Sequence, residues 1–270
     1  MLARLALRPS RREGAWSAVR QTVQRRPATI LVGAAVAAFV ALWWDVLAGQ
    51  HVLIGYDLLY SWLPWSQSAG AHPPRNVLAG DPVTQYGPWL KLTRDALLHF
   101  RLPLWNPYSS SGAPLLANGQ SGVFSPFTLV VLPFHTATAL TVGMFVKMWV
   151  AGIGMALFVR QLGARPVAAT FAGVVFATSS FMVVWLAYPP ASAAALVPWL
   201  LAAIEWYLRS RRPTAFASIA VLVALEIFAG HYETSLQVAL VLPVYVIARI
   251  FGLRRPRASV AAGLVLAGVL

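Results

Sequence analysis

DPVTQYGPWLKLTRDALLHFRLPLWNPYSSSGAPLLANGQSGVFSP, residues 81–126, is the one long stretch of this chain that is neither a hydrophobic run nor a short basic connector. It carries two acids, Asp81 and Asp95, and is crowded with Trp, Tyr, Asn, Gln, Pro and Gly. Those residues suit a shaped polar surface. On either side the chain is strongly apolar. Over its whole length 59% of residues are hydrophobic and 11% are charged, against about 25% charged in soluble domains. The sequence therefore reads as an all-α polytopic membrane protein that holds 81–126 at one face of the bilayer.

Charge placement orients the stretch. A formal charge of +13 would suit nucleic acid, but the basic residues lie between hydrophobic runs, where membrane proteins use them for topology. Nucleic acid is therefore not an expected partner. Residues 1–28 carry Arg4, Arg8, Arg11, Arg12, Arg20, Arg25 and Arg26 against the single acid Glu13. They read as a cytoplasmic basic segment, either topogenic or in contact with anionic lipid. The transmembrane domain occupies 29–270. Its spans are Thr29–Leu47, Thr136–Gly163, Val167–Ala187, Ala191–Leu208, Thr214–Gly230 and Thr234–Phe251, and a seventh begins near Ser259. Every second junction is basic, so the N-terminus falls inside and the loop 48–125 outside. The final apolar segment is short for the roughly 20 residues that cross a bilayer. The sequence is accordingly expected to be the N-terminal part of a longer protein. No cysteine is present, which excludes disulfides and thiolate metal ligands.

Inside the loop, Pro88–Phe100 has helical spacing, with Gly87 as its cap. Trp89, Leu92, Ala96 and Phe100 form an apolar stripe, which predicts a helix lying in the interface plane. Lys91 and Asp95 stand four residues apart and predict an ion pair. Asp81, between Gly80 and Pro82, has no basic neighbour within a helical turn. It reads either as a turn or cap carboxylate or as a catalytic acid. Asp57, among aromatics just past the first span, reads as an interfacial acid or as a second carboxylate sharing a divalent cation with Asp81. His231 and Glu233 close a short turn; proton transfer or substrate contact competes there with simple capping. Lys147, Glu226 and Glu205 fall within or at the edges of spans, where ionisable groups are costly. Glu205 can pair with Arg209, and Lys147 with Glu226. Trp105, Asn106, Asn118 and Gln120 supply the indole face and amides that suit a carbohydrate.

Asp81-xxx-Gln85-Tyr86, Pro103-Leu104-Trp105-Asn106-Pro107, Gly112-Ala113-Pro114, Ser125-Pro126, Arg160-Gln161-Leu162-Gly163 and Gly230-His231 resemble the YfhO-like family of bacterial membrane proteins, related to the GT-C glycosyltransferases. The resemblance runs from about Asp57 to Glu233. It implies a GT-C-like helix bundle whose long first extracytoplasmic loop carries an interfacial helix. It further implies an inverting transferase in the bacterial inner membrane. Such an enzyme moves sugar from a polyprenyl-phosphate donor to a glycan or polymer acceptor of the cell envelope. Asp81 matches the family's loop acid and Asp57 is the second candidate. Pro82 follows Asp81, a departure from the doubled-acid version of the motif. Gln85, Tyr86, Arg94, Trp105, Asn106, Asn118, Gln120, His231 and Glu233 are the implied substrate-binding residues. A divalent cation, Mg or Mn, is the implied cofactor, with Asp57 and Asp81 as its ligands. Arg94, Lys91 and His231 are the candidate cations for the departing phosphate.

Two other classes fit the same composition. A transporter or flippase of lipid-linked glycans predicts that Lys147 and Glu226 matter more than Asp81. A non-catalytic envelope-assembly protein predicts that no single acid matters.

Overall fold

The structure, a computed structural model, describes residues 27–109 and 111–252. The arginine-rich segment up to Arg26 and the expected seventh span lie outside the described residues. The chain forms helices α1 (Pro27–Leu42), α2 (Trp44–Leu47), α3 (Gly87–Leu97), α4 (Pro126–Leu129), α5 (Thr136–Gln161), α6 (Pro166–Ala177), α7 (Ser180–Val184), α8 (Pro189–Ser210), α9 (Pro213–Phe228) and α10 (Tyr232–Gly252). One two-residue hairpin, β1 (Trp105–Asn106) against β2 (Ala113–Pro114), is the strand structure among the described residues. This is an all-α membrane protein. The helical segments Thr136–Gln161, Pro166–Val184 (α6 and α7 together), Pro189–Ser210 and Tyr232–Gly252 are long and apolar enough to cross a bilayer. Thr29–Leu42 and Pro213–Phe228 are apolar but shorter.

Local sequence sets the helix ends. Pro166, Pro189 and Pro213 open α6, α8 and α9, at a position where a missing N–H costs nothing. Gly230, at φ +90°, turns the chain between α9 and α10. The apolar run after Arg165 is broken at Ser179, whose hydroxyl accepts from Met182 N and starts α7.

Helix α8 is the axis of the bundle. It packs against α5, α9 and α10, and its alanines at 191, 193, 194 and 195 are buried. Small residues let helices approach closely where lipid supplies no hydrophobic drive. Helices α5 and α6 approach backbone to backbone: a Cβ on Gly173 would lie 2.5 Å from Gly152 O. On α10, Leu236, Leu240, Val244 and Ile247 face outward while Tyr245 and Arg249 are buried. Apolar groups outside and polar groups inside is the arrangement that suits a lipid environment.

The loop 48–125 docks on one end of this bundle. Ile54, Leu58 and Val83 pack with Met144 of α5 and with Leu186. Leu53 N donates to Thr141 Oγ1. Helix α3 also lies against α5, and its contact differs from the sequence expectation. Gly87, Leu90 and Thr93 are buried, whereas Phe100 lies past the helix and is fully exposed. Leu90 packs with Val131 and Ala139. A stripe of apolar residues shows that a helix has a greasy face, but a partner helix can claim the neighbouring face instead.

Candidate functional site

The stretch that opens with Asp81 is helical from its first residue. Asp81 has αR dihedrals, and residues 82–86 form a π-type turn that runs directly into α3. Gly87 is thus inside a helical run, and the cap expected there is absent. Gly80 O accepts from both Val83 N and Thr84 N. Such wide turns recur where a helix must aim side chains at a site. Here the turn sends Gln85 back toward Asp81: Gln85 Nε2 donates to Asp81 Oδ1 at 3.0 Å. No ion pair reaches Asp81 among the described residues, so its carboxylate keeps its charge unmatched.

Asp81 stands beside two phenols. The ring of Tyr86 meets that of Tyr188 edge to face, with centroids 5.8 Å apart. Burial, then the Asp81 carboxylate and Tyr188, push the Tyr86 phenol up to about 12. The Tyr188 phenol is also raised, by burial and then by Asp81. Both phenols therefore stay protonated near neutral pH and serve as hydrogen-bond donors or acceptors, not as bases. Trp89 and Trp185 flank the pair, with centroids 5.6 Å from Tyr86 and 5.5 Å from Tyr188.

Tyr86 and Tyr188 line a cavity of about 80 Å³ at the loop end of the bundle. That is several times the roughly 10–15 Å³ one water needs. Gln120, Ser125, Lys147 and Ser192 line it as well. Lys147 is the one charged residue in that lining. Its Nζ donates to Leu186 O at 3.0 Å and to Tyr188 O at 3.2 Å. No ion pair forms between Lys147 and Glu226, contrary to the expectation. Both carboxylate oxygens of Glu226 are buried without a hydrogen-bond partner among the described residues.

The remaining candidates divide clearly. The turn at Gly230 rests on the loop at 118–122: a Cβ on Gly119 would lie 2.2 Å from the Tyr232 ring, and one on Gly230 would lie 3.0 Å from Gly119 O. Gln120 and His231 thus belong to neighbouring segments that the sequence separates by over a hundred residues. Thr234 N donates to His231 Nδ1, while Nε2 lies 3.8 Å from the exposed Glu233 carboxylate. Asn118 Oδ1 accepts from Gln120 N. Asn106 is buried, its amide donating to Ser109 Oγ and accepting from Tyr108 N. Both ends of that amide are committed to the turn. Trp105 is half exposed and lies over Gly112. Arg94 donates to Leu132 O, tying α3 to the segment after α4.

Asp57 accepts from Arg75 N through Oδ2 at 2.8 Å, and its segment packs beside the turn at 82–86. No group of three or more His, Cys, Asp or Glu that could hold a metal exists among the described residues. Asp57 serves a backbone N–H and Asp81 serves an amide, so the residues present do not assemble a Mg or Mn site. Tyr188 went unmarked in the sequence because Tyr-Pro-Pro reads as a bare helix stop. Ser192 gives no sequence signal, and Ser125 enters only as part of the Ser125-Pro126 match to the family pattern.

A family model described as Bacterial membrane protein YfhO matches residues 58–270. No curated protein and no solved structure matches the chain.

Proposed function

This chain belongs to the YfhO family of bacterial membrane proteins, and from that premise we propose that it is an inverting glycosyltransferase of the bacterial cell membrane. Its donor is a polyprenyl-phosphate-linked sugar and its acceptor a hydroxyl on a glycan or polymer of the cell envelope. The N-terminus is cytoplasmic and the loop 48–125 extracytoplasmic. The observation that carries this reading is Asp81: an unpaired carboxylate, held by Gln85, beside two protonated phenols that themselves line the cavity.

Asp81 acts as the general base. It takes the proton of the acceptor hydroxyl as that oxygen attacks the anomeric carbon. The bond between the anomeric carbon and the phosphate oxygen breaks, a glycosidic bond forms with inverted configuration, and the polyprenyl phosphate leaves with the electron pair. Tyr86 and Gln120 contact the sugar, His231 and Glu233 the acceptor, and Trp105 offers an indole face to the glycan beyond. Asp57 shapes the loop that carries Asp81.

The test is Asp81→Asn in the full chain, assayed in membranes with a labelled polyprenyl-phosphate sugar. General-base removal is expected to lower transfer by about 10²–10⁴-fold. Unchanged transfer would sink the assignment. A variant pair in which Glu226→Gln abolishes function while Asp81→Asn does not would point to transport of the lipid-linked glycan.

A further inference from the structure

We infer that the cavity floored by Lys147 is a binding site for a phosphate group. The inference deepens the transferase reading, on which its link to the donor rests, because it gives the lipid phosphate a place.

Four observations converge on an anion. First, Lys147 is 9% exposed and lines the cavity. An ammonium has three N–H donors; two go to Leu186 O and Tyr188 O, which leaves one. Second, no carboxylate lines the cavity, so Lys147 meets no acid there that would compete with an anionic ligand. Third, Ser125 is 2% exposed and its Oγ is buried with no hydrogen-bond partner. Ser125 occupies the cap position of α4, yet its side chain makes no cap bond. A buried hydroxyl left unpaired is unfavourable, and a ligand oxygen would relieve it. Fourth, the N-terminus of the 22-residue α8 lines the same cavity through Pro189 and Ser192. Pro189 and Pro190 have no N–H, so the helix's free donors begin at Ala191 and Ser192. A helix N-terminus favours negative charge.

The donors come from three separate segments: Lys147 on α5, Ser125 before α4, and Ser192 in the first turn of α8. A tetrahedral oxyanion with several acceptor oxygens can satisfy donors arriving from three directions, while a planar carboxylate offers fewer. The cavity also suits a compact head group more than a whole sugar. Its place where apolar helices meet the polar loop lets a lipid tail remain in the bilayer. The shared chemistry admits two sources, a polyprenyl phosphate head group or free inorganic phosphate.

The experiment measures binding to the full chain in nanodiscs with three probes: a short-chain polyprenyl phosphate, the matching polyprenol, and inorganic phosphate. The phosphate is expected to bind at least about tenfold tighter than the polyprenol. Lys147→Met should erase that preference. Ser125→Ala should weaken phosphate binding by several-fold without lowering the melting temperature, because its hydroxyl bonds nothing among the described residues. That variant keeps the test informative even if Lys147→Met folds poorly. Equal affinity for polyprenol and its phosphate, or unchanged affinity in folded Lys147→Met and Ser125→Ala, would overturn the inference. Phosphate binding that only the lipid shows assigns the head group. Equally tight binding of inorganic phosphate assigns the free anion. Asp81→Asn should bind the lipid phosphate normally while failing in transfer. If it transfers normally and Lys147→Met does not bind, the role of Asp81 falls and the anion site stands.

Discussion

Among the described residues the bundle buries ionisable groups around Glu205, at Lys147 and at Glu226, and it treats the first two differently. Glu205 on α8 is fully buried and saturated with partners. Arg249 Nε and Nη2 lie 2.5 and 3.0 Å from its two oxygens, Tyr245 donates at 2.6 Å, and Arg209 approaches to 3.4 Å. Lys147 on α5 has no acid at all, only two backbone carbonyls and a cavity. Two arginines, a tyrosine and a glutamate that satisfy one another leave nothing to offer a ligand. A lone cation beside an unpaired serine leaves a good deal. Within one helix bundle, the saturated cluster joins α8 to α10, and the unsaturated one marks the place where chemistry can enter.

The largest effect expected from that contrast is at Glu205. Glu205→Ala strands the Arg249 guanidinium in a buried position without its acid. Breaking a buried pair from one side costs about 3–5 kcal/mol. Unfolding in detergent by denaturant or heat, compared with the parent chain, measures it. Lys147→Met should cost less, about 1–3 kcal/mol, since it removes a donor from two carbonyls and strands no charge. The contrast breaks if the two substitutions destabilise equally, because Lys147 would then be as much a structural tie as Glu205.

A second contrast sits in the glycines. Gly173→Ala would drive a Cβ to 2.5 Å from the Gly152 carbonyl oxygen, between two helices that have no flexible atom to give way. Overpacking of this kind costs about 1–3 kcal/mol. Gly119→Ala meets the Tyr232 ring at a shorter distance, but Tyr232 is 60% exposed and can swing aside. Its stability cost should be below about 1 kcal/mol. The same unfolding measurement ranks the two. A larger loss at Gly119 would mean that the docking of the Gly230 turn on the 118–122 loop is a rigid part of the fold.

How much of this was legible in the sequence depends on which atoms carry each feature. Membrane character was legible because apolar runs and charge-bearing junctions are side-chain properties. The i,i+4 spacing of Glu205 and Arg209 predicts their pairing. Its shorter contacts, to Arg249 and Tyr245, come from a helix some 40 residues on and left no local trace. Lys147 was visible as a cation inside an apolar span. Its partners were not, since carbonyls at Leu186 and Tyr188 have no residue signature. Composition predicts a pair with Glu226, and the carbonyls of Leu186 and Tyr188 take its place. The acids at 81 and 95 could be told apart in advance by their neighbours alone: one has a lysine a helical turn away, the other has none. The face of α3 could not, because helical periodicity shows where apolar residues fall but not which neighbour covers them. The cavity is legible only in three dimensions, since Tyr86, Ser125, Lys147 and Ser192 come from four separate segments.

The smallest expected effect tests the acids directly. Lys91 Nζ lies 2.6 Å from Asp95 Oδ2, with the two side chains 65% and 43% exposed. Solvent screens such a pair, and ordering two side chains offsets part of the attraction, so exposed pairs contribute about 0.2–1 kcal/mol. Helical i,i+4 pairs fall in the lower half of that range, about 0.3–0.5 kcal/mol. Lys91→Ala should therefore shift unfolding by no more than that, and less as salt rises. Asp95→Asn should leave transfer activity within about twofold, whereas Asp81→Asn should nearly abolish it. The two substitutions make the same chemical change, carboxylate to amide, at sites 14 residues apart. If Asp95→Asn proved as damaging as Asp81→Asn, the ion pair to Lys91 would not be what distinguishes the two acids. A carboxylate left unpaired would then lose its standing as the mark of the site.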